Sequence, residues 1–195
     1  ADRTRALRDQ PEMSARSVAT ASAAWLLAGC GQPAGAPAEP ADPPGPALLF
    51  AAGKGDLSAA ERGQIFGATG LAVTPDGGGF VDGICGQPAG ASVEFRDMNA
   101  DGRQEVLVIF GNSCTSGHTG SAAVLFIRDP AGNLKSHLGF PAASADPLPE
   151  RNEGYPDLLI GGPGFCFAVW RWNGASYEHL RNDPQMPGGC DHLNE

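Results

Sequence analysis

The stretch Val93–Phe110, VEFRDMNADGRQEVLVIF, decides how this chain is read. Its flanks, VEF and EVLVIF, are β-branched and aromatic runs of strand length, and its centre, Asp97–Glu105, is dense in residues that reverse a chain. Two strands joined by a tight loop follow from that. The same pattern recurs outward: LAVT and FVDGIC flank PDGG, AAVLFI precedes the turn DPAGN, DLLIGG is another apolar run, and FAVWRW and SYEHL flank Asn173-Gly174. Asn-Gly is a two-residue hairpin signal because both residues tolerate positive φ. Ser58-x-x-Glu61 has capping-box spacing, and Gly70 provides a stop, so one short helix is expected over 59–67. The expectation is all-β: seven to nine short antiparallel strands with one short N-terminal helix.

A length of 195 residues suits one ordinary domain, and 28 Gly with 17 Pro fit many strands and turns better than a helical bundle. The net charge of −9 opposes nucleic acid, whose phosphates repel an acidic surface, and favours a cationic protein or a divalent metal. An internal repeat adds architecture. A shift of 52 residues lays Asp101-Gly102-x-x-Glu105 over Glu153-Gly154-x-x-Asp157, and Cys114 over Cys166. Two copies of loop and strand imply successive sheet units, propeller-like and incomplete, with a β-sandwich as the alternative.

The central loop also has metal-ligand spacing. Asp97, Asn99 and Asp101 alternate, Gly102 stands at the sixth position, and Glu105 at the ninth. Calcium needs six to eight oxygens, and this spacing lets three side chains, the Arg103 carbonyl and Glu105 converge on one ion. The twelfth position is Val108 rather than a bidentate Glu, and both flanks read as strands, so this is no helix–loop–helix sensor. In the second copy Pro149 and Arg151 replace the first ligands, and no second ion is expected there.

Residues before the domain read as an export signal. Arg16, the apolar run VATASAAWLLA and Leu27-Ala28-Gly29-Cys30 give a charged region, a short apolar region and small residues at a cut site, with Met13 as the expected start. Residues 1–29 are then expected to be an upstream segment and signal peptide, and Leu27–Cys30 resembles a bacterial lipoprotein lipobox, which implies Cys30 as the lipid-bearing residue. GQPAGAPAEPADPPGPA makes 30–47 a semi-rigid tether, leaving 48–195 as the folded domain. In such an exported domain Cys85, Cys114, Cys166 and Cys190 allow three disulfide pairings, of which Cys85–Cys114 and Cys166–Cys190 close the shortest segments.

Catalytic motifs find no match: there is no G-x-S-x-G, no H-E-x-x-H and no phosphate loop. His118, His137, His179 and His192 are scattered, and calcium accounts for Asp97 and Glu105 better than paired-carboxylate chemistry with Glu94 does. A non-enzymatic protein is expected. The small polar segment Asn112–Ser121, NSCTSGHTGS, is suited to recognition if held rigid, which selects Ser116, Gly117 and His118, with Tyr155, as partner-binding candidates. Trp170 and Trp172 share one strand face and either cover a core, as large aromatics usually do, or form a platform for a partner.

Lipobox, tether, VEFRDMNADGRQEVLVIF, GYPDLLIGGPGFC and VWRWNGASY together resemble a group of small periplasmic lipoproteins with FG-GAP/VCBS-like calcium loops. That group includes inhibitors, or immunity proteins, acting against lysozyme-like effectors of type IV secretion systems. The resemblance, over roughly residues 57–190, implies a propeller-like fold and a bound Ca²⁺, and the resemblance of Leu27–Cys30 to a lipobox, with Gly31 rather than Asp after the Cys, implies outer-membrane anchorage facing the periplasm. It also implies a cationic peptidoglycan hydrolase as partner. Ser116-Gly117 is similar to the Ser-Gly loop with which periplasmic lysozyme inhibitors plug a cleft, although the Tyr that follows in those proteins is missing here. The alternative function is a calcium-stapled structural or adhesive envelope module.

Overall fold

A computed structural model describes residues 39–193; the signal segment, Cys30 and the tether up to residue 38 lie outside them. The chain is all-β, with ten antiparallel strands in two sheets. The first sheet runs in sequence order through β1 (Leu71–Val73), β2 (Phe80–Asp82), β3 (Pro88–Arg96), β4 (Glu105–Gly111), β5 (Ala122–Arg128) and β6 (Leu134–Pro141). The second is the meander β7 (Ser144–Asn152), β8 (Tyr155–Gly161), β9 (Cys166–Trp172) and β10 (Tyr177–Pro184).

Within the six-stranded first sheet β3–β6 form a meander, as β7–β10 do in the second, and the sequence repeat falls on the first hairpin of each unit. Its cysteines do not correspond, however. Cys114 lies in α3 (Ser113–Ser116), after the second strand of its unit, whereas Cys166 begins the third strand of the other. One strand, β7, went unread because Pro147 and Pro149 disqualify a central strand. They are tolerated because β7 is an edge whose register breaks between Pro147 and Arg151.

β4 and β5 are buried on both faces, which explains their near-continuous apolar sequences. Leu107, Ala123, Leu125 and Ile127 face the second sheet and meet Leu158, Ile160, Trp172 and Tyr177. Val106, Val108, Val124 and Phe126 face the other way, against Leu49, Phe50, Leu57 and Ile65. Those last residues come from two helices and their connection: α1 (Pro44–Leu49) and α2 (Ala59–Thr69).

α2 starts as expected, with reciprocal Ser58 and Glu61 capping bonds, and stops at Gly70 in the left-handed conformation, φ 65°. α1 is a correction. Composition places Pro44–Ala47 in the tether, yet Gly45 and Pro46 are buried there. Arg62 explains why this segment folds back. Its buried guanidinium grips Asp42 through two 2.8 Å bonds, with Leu57 O and Glu39 as further acceptors, so proline-rich chain becomes part of the domain.

Candidate binding site

The loops joining β3–β4, β5–β6, β7–β8 and β9–β10 gather at one end of the sheets, around a cavity of about 500 Å³. Asn99, Asp101, Arg103, His137, Tyr155 and Trp172 are among its lining residues. At the opposite end of β4, some 20 Å away at strand rise, lies the segment after Gly111. Each end has its own construction.

At the cavity end, Asp97 folds the acidic loop around its carboxyl group. It accepts from Asp101 N at 3.1 Å and Gly102 N at 3.0 Å, while Asp101 Oδ1 accepts from Arg103 N at 2.8 Å. That last bond is the main reason the Asp101 carboxyl is held below its ordinary range. Gly102 takes φ 85°, as a sixth-position glycine must, and Ala100 is also left-handed at 61°. Each carboxylate has about four acceptor sites; Asp101 Oδ2 already takes Asn99 Nδ2 at 3.1 Å and Arg103 Nη2 at 3.3 Å, so the capacity left for a cation is greater on Asp97. The donor set of Asp97, Asn99, Asp101 and the Arg103 carbonyl is all oxygen, which suits a hard ion.

Glu105 differs. It is buried at the start of β4, where Oε2 accepts from Met98 N at 2.6 Å and Oε1 from Tyr155 Oη at 3.1 Å. Burial pushes its carboxyl above the usual range. Among the described residues no three His, Cys, Asp or Glu side chains converge as a metal cluster.

The sequence marks Tyr155 as a contact residue; in the structure it is buried and acts as a strut. Its hydroxyl takes a 2.9 Å bond from Asn99 and gives one to Glu105, linking β8 of the second sheet to the loop of the first. Burial, with Glu105 alongside, raises its phenol far above the ordinary value. Arg151 adds a tie from β7 by donating to Met98 O and, at 2.9 Å, to Gly154 O. Trp172 is core, packed on His137, Tyr155 and Tyr177 at centroid distances of 5.0–5.3 Å. Trp170 stacks on Phe140 at 4.8 Å. Burial lowers the pKa of His137. The Asn173-Gly174 hairpin is longer than two residues: Asn173 N bonds Ser176 O, and only Gly174 takes positive φ.

At the far end, NSCTSGHTGS folds as α3 and a 3₁₀ turn, Gly117–Thr119, rather than as an open loop. Asn112 caps α3 through its side-chain oxygen, which accepts from Cys114 N and Thr115 N. Ser116 turns inward and is buried, so of the three residues marked here Gly117 and His118 are exposed. Ser116 and Tyr155 thus lie at opposite ends of β4, and the expected partner-binding set does not converge.

What stiffens this end is a residue that sequence reading passed over. The buried Asp82 carboxylate accepts from Ile84 N at 3.0 Å, Cys85 N, Gln87 N at 3.1 Å and Asn112 Nδ2 at 2.7 Å. These donors, Cys85 N foremost, depress its pKa. The stabilisation is complete above the ordinary carboxylate value and is lost only as pH falls through the lowered one. The Cys85–Cys114 disulfide joins the same two segments, and Cys166–Cys190 closes the C-terminal loop; both are the pairs that close the shortest segments. The Asp-Gly pair inside FVDGIC was the available signal, since Asx turns start there.

No family model matches the chain, and neither a curated protein nor a solved structure matches it.

Proposed function

We propose that this chain is a lipid-anchored protein of the bacterial envelope, facing the periplasm from the outer membrane, which binds a cationic peptidoglycan hydrolase and blocks it. The observation that carries the reading is the stapled end: Asp82, Asn112 and Cys85–Cys114 hold a projecting turn in one shape before any partner arrives. Preorganisation of that kind removes the ordering cost that otherwise weakens loop-mediated binding. The charge of −9 supports steering toward a cationic partner, and the lipobox and tether in the sequence support export and anchorage. The test is the lysis of purified peptidoglycan by cationic lysozymes of several types. One molar equivalent of the protein is expected to stop the clearing by at least one of them, with no clearing by the protein alone. Undiminished clearing in every case removes the reading.

Calcium belongs to the same proposal as a staple of the cavity end, held by Asp97, Asn99, Asp101 and the Arg103 carbonyl, with Glu105 fixing the loop where it joins β4. An affinity in the extracellular range, a Kd of roughly 0.1–1 mM, gives about 1.4–2.7 kcal/mol at 10 mM Ca²⁺, or roughly 3–10 °C in Tm. Asp101→Asn keeps an acceptor for Arg103 N but removes a charge, so the calcium-dependent rise should shrink while the melting temperature in chelator stays put. Equal melting temperatures of the unsubstituted protein with Ca²⁺ and with chelator would mean that the loop is a self-satisfied turn.

A second reading, an adhesive envelope module, is favoured by the cavity. Its volume lies within the range of small-ligand sites, and it has mixed polar and aromatic walls. Saturable binding of a cell-wall saccharide, lost on changing His137, is what that reading predicts.

A further inference from the structure

Ile84 is 87% exposed, the most exposed large apolar side chain among the described residues, and it sits on a turn held by the Asp82 carboxylate and a disulfide. A single exposed apolar side chain is ordinary in itself; what distinguishes this one is the backbone that holds it and the surface around it. Its own N–H is bound by Asp82, and Cys85, the next residue, is bridged to α3. Gly86 N closes the turn onto Asp82 O at 3.0 Å. Gly83 N bonds Gly70 O at 3.0 Å, an approach that only glycine permits, because a Cβ on Gly83 would lie 2.7 Å from that oxygen.

The surroundings have been cleared of charge. Residues 83–93 and 111–122 contain no Asp, Glu, Lys or Arg, in a chain with 22 acidic and 13 basic residues. The acid that opens the turn, Asp82, is buried and fully engaged. Beside the turn is a dimple of about 160 Å³, lined by Leu71, Ile84, Phe110, Thr115 and Ser116 among others. A lone apolar projection, a small apolar recess and an uncharged hydrogen-bonding rim match the centre of a protein–protein interface, where charged residues are depleted and a few anchors supply the energy.

We infer that Ile84 is the anchor by which this chain docks, inserted into an apolar pocket of a cationic protein and ringed by uncharged contacts from Gln87, Asn112, Gly117 and His118. The inference rests on the proposed hydrolase partner, and names the residue that makes the contact. Net charge selects that occupant over a second copy of the chain: two bodies at −9 repel, and the turn and the segment after Gly111 contain no Lys or Arg to offset it, whereas a cationic protein is drawn in by the acidic surface.

The experiment is calorimetric titration of the full chain against purified cationic lysozymes, using the unsubstituted protein, Ile84→Leu, Ile84→Ala and Ile84→Asp. Affinity should fall about 30-fold for the alanine variant and more than about 100-fold for aspartate, but only a few-fold for leucine. Melting temperatures should be unchanged, because Ile84 belongs to neither apolar core. Tight binding by the unsubstituted protein and by Ile84→Asp alike overturns the anchor and leaves the hydrolase reading standing. Absence of binding to every lysozyme by the unsubstituted protein removes both. A concentration-dependent dimer that Ile84→Asp dissolves would assign the turn to a second copy and overturn the choice of occupant.

Discussion

Trp172→Ala is expected to lower stability by about 3–5 kcal/mol, the largest effect of any single substitution considered. Trp172 is 7% exposed, packs on His137, Tyr155 and Tyr177, and sits where β9 reaches the cavity end of the second sheet. The neighbouring rings are fixed by their own bonds, Tyr155 to Glu105 and Tyr177 Oη to Pro156 O at 3.0 Å, so they have little freedom to close the void. Urea denaturation is the measurement, and a lower midpoint at unchanged slope is the expected form. A loss under 1 kcal/mol would place the indole on the surface as a platform.

The second large effect separates stability from function. Closing loops of 29 and 24 residues, each disulfide contributes about 3–4 kcal/mol through the unfolded chain. The double changes Cys85→Ser/Cys114→Ser and Cys166→Ser/Cys190→Ser should therefore melt alike. They should not inhibit alike. Only the first loosens the turn that carries Ile84, and it should weaken hydrolase binding beyond anything explained by its folded fraction. The second should leave binding intact wherever the protein remains folded. Equal inhibition by both variants below their melting temperatures contradicts the assignment of the docking end.

Much of this structure was legible because it is local. The Ser58–Glu61 cap and the Gly70 stop are set within a dozen residues, the loop strands flank their own turn, and the cysteine pairs close the shortest segments available. What escaped depends on contacts distant in sequence. Nothing around Pro44 announces a helix; Arg62, twenty residues on, draws Asp42 in. β7 hides behind two prolines that only an edge strand accepts. Tyr155 looks like a contact residue until β8 is laid across the acidic loop and its hydroxyl meets Glu105, fifty residues earlier.

The site followed the same division. Acidic spacing in DMNADGRQE was plain, and so was the turn conformation of Gly102. That the loop and the NSCTSGHTGS segment stand at opposite ends of one strand was not, because sequence neighbours joined by a straight β4 are its farthest points. An ion in the acidic loop would therefore stiffen the cavity end, whereas the proposed docking end is held by Asp82 and the Cys85–Cys114 disulfide.

The Ile84 turn is held in one shape before binding, and residue-resolved amide hydrogen exchange on the free protein tests this most directly. The N–H groups of Ile84, Cys85 and Gln87, all given to Asp82, should exchange at least about 100-fold more slowly than in an unstructured chain. Exchange of these three amides at the unstructured rate would contradict it, leaving Ile84 an exposed side chain on a mobile loop.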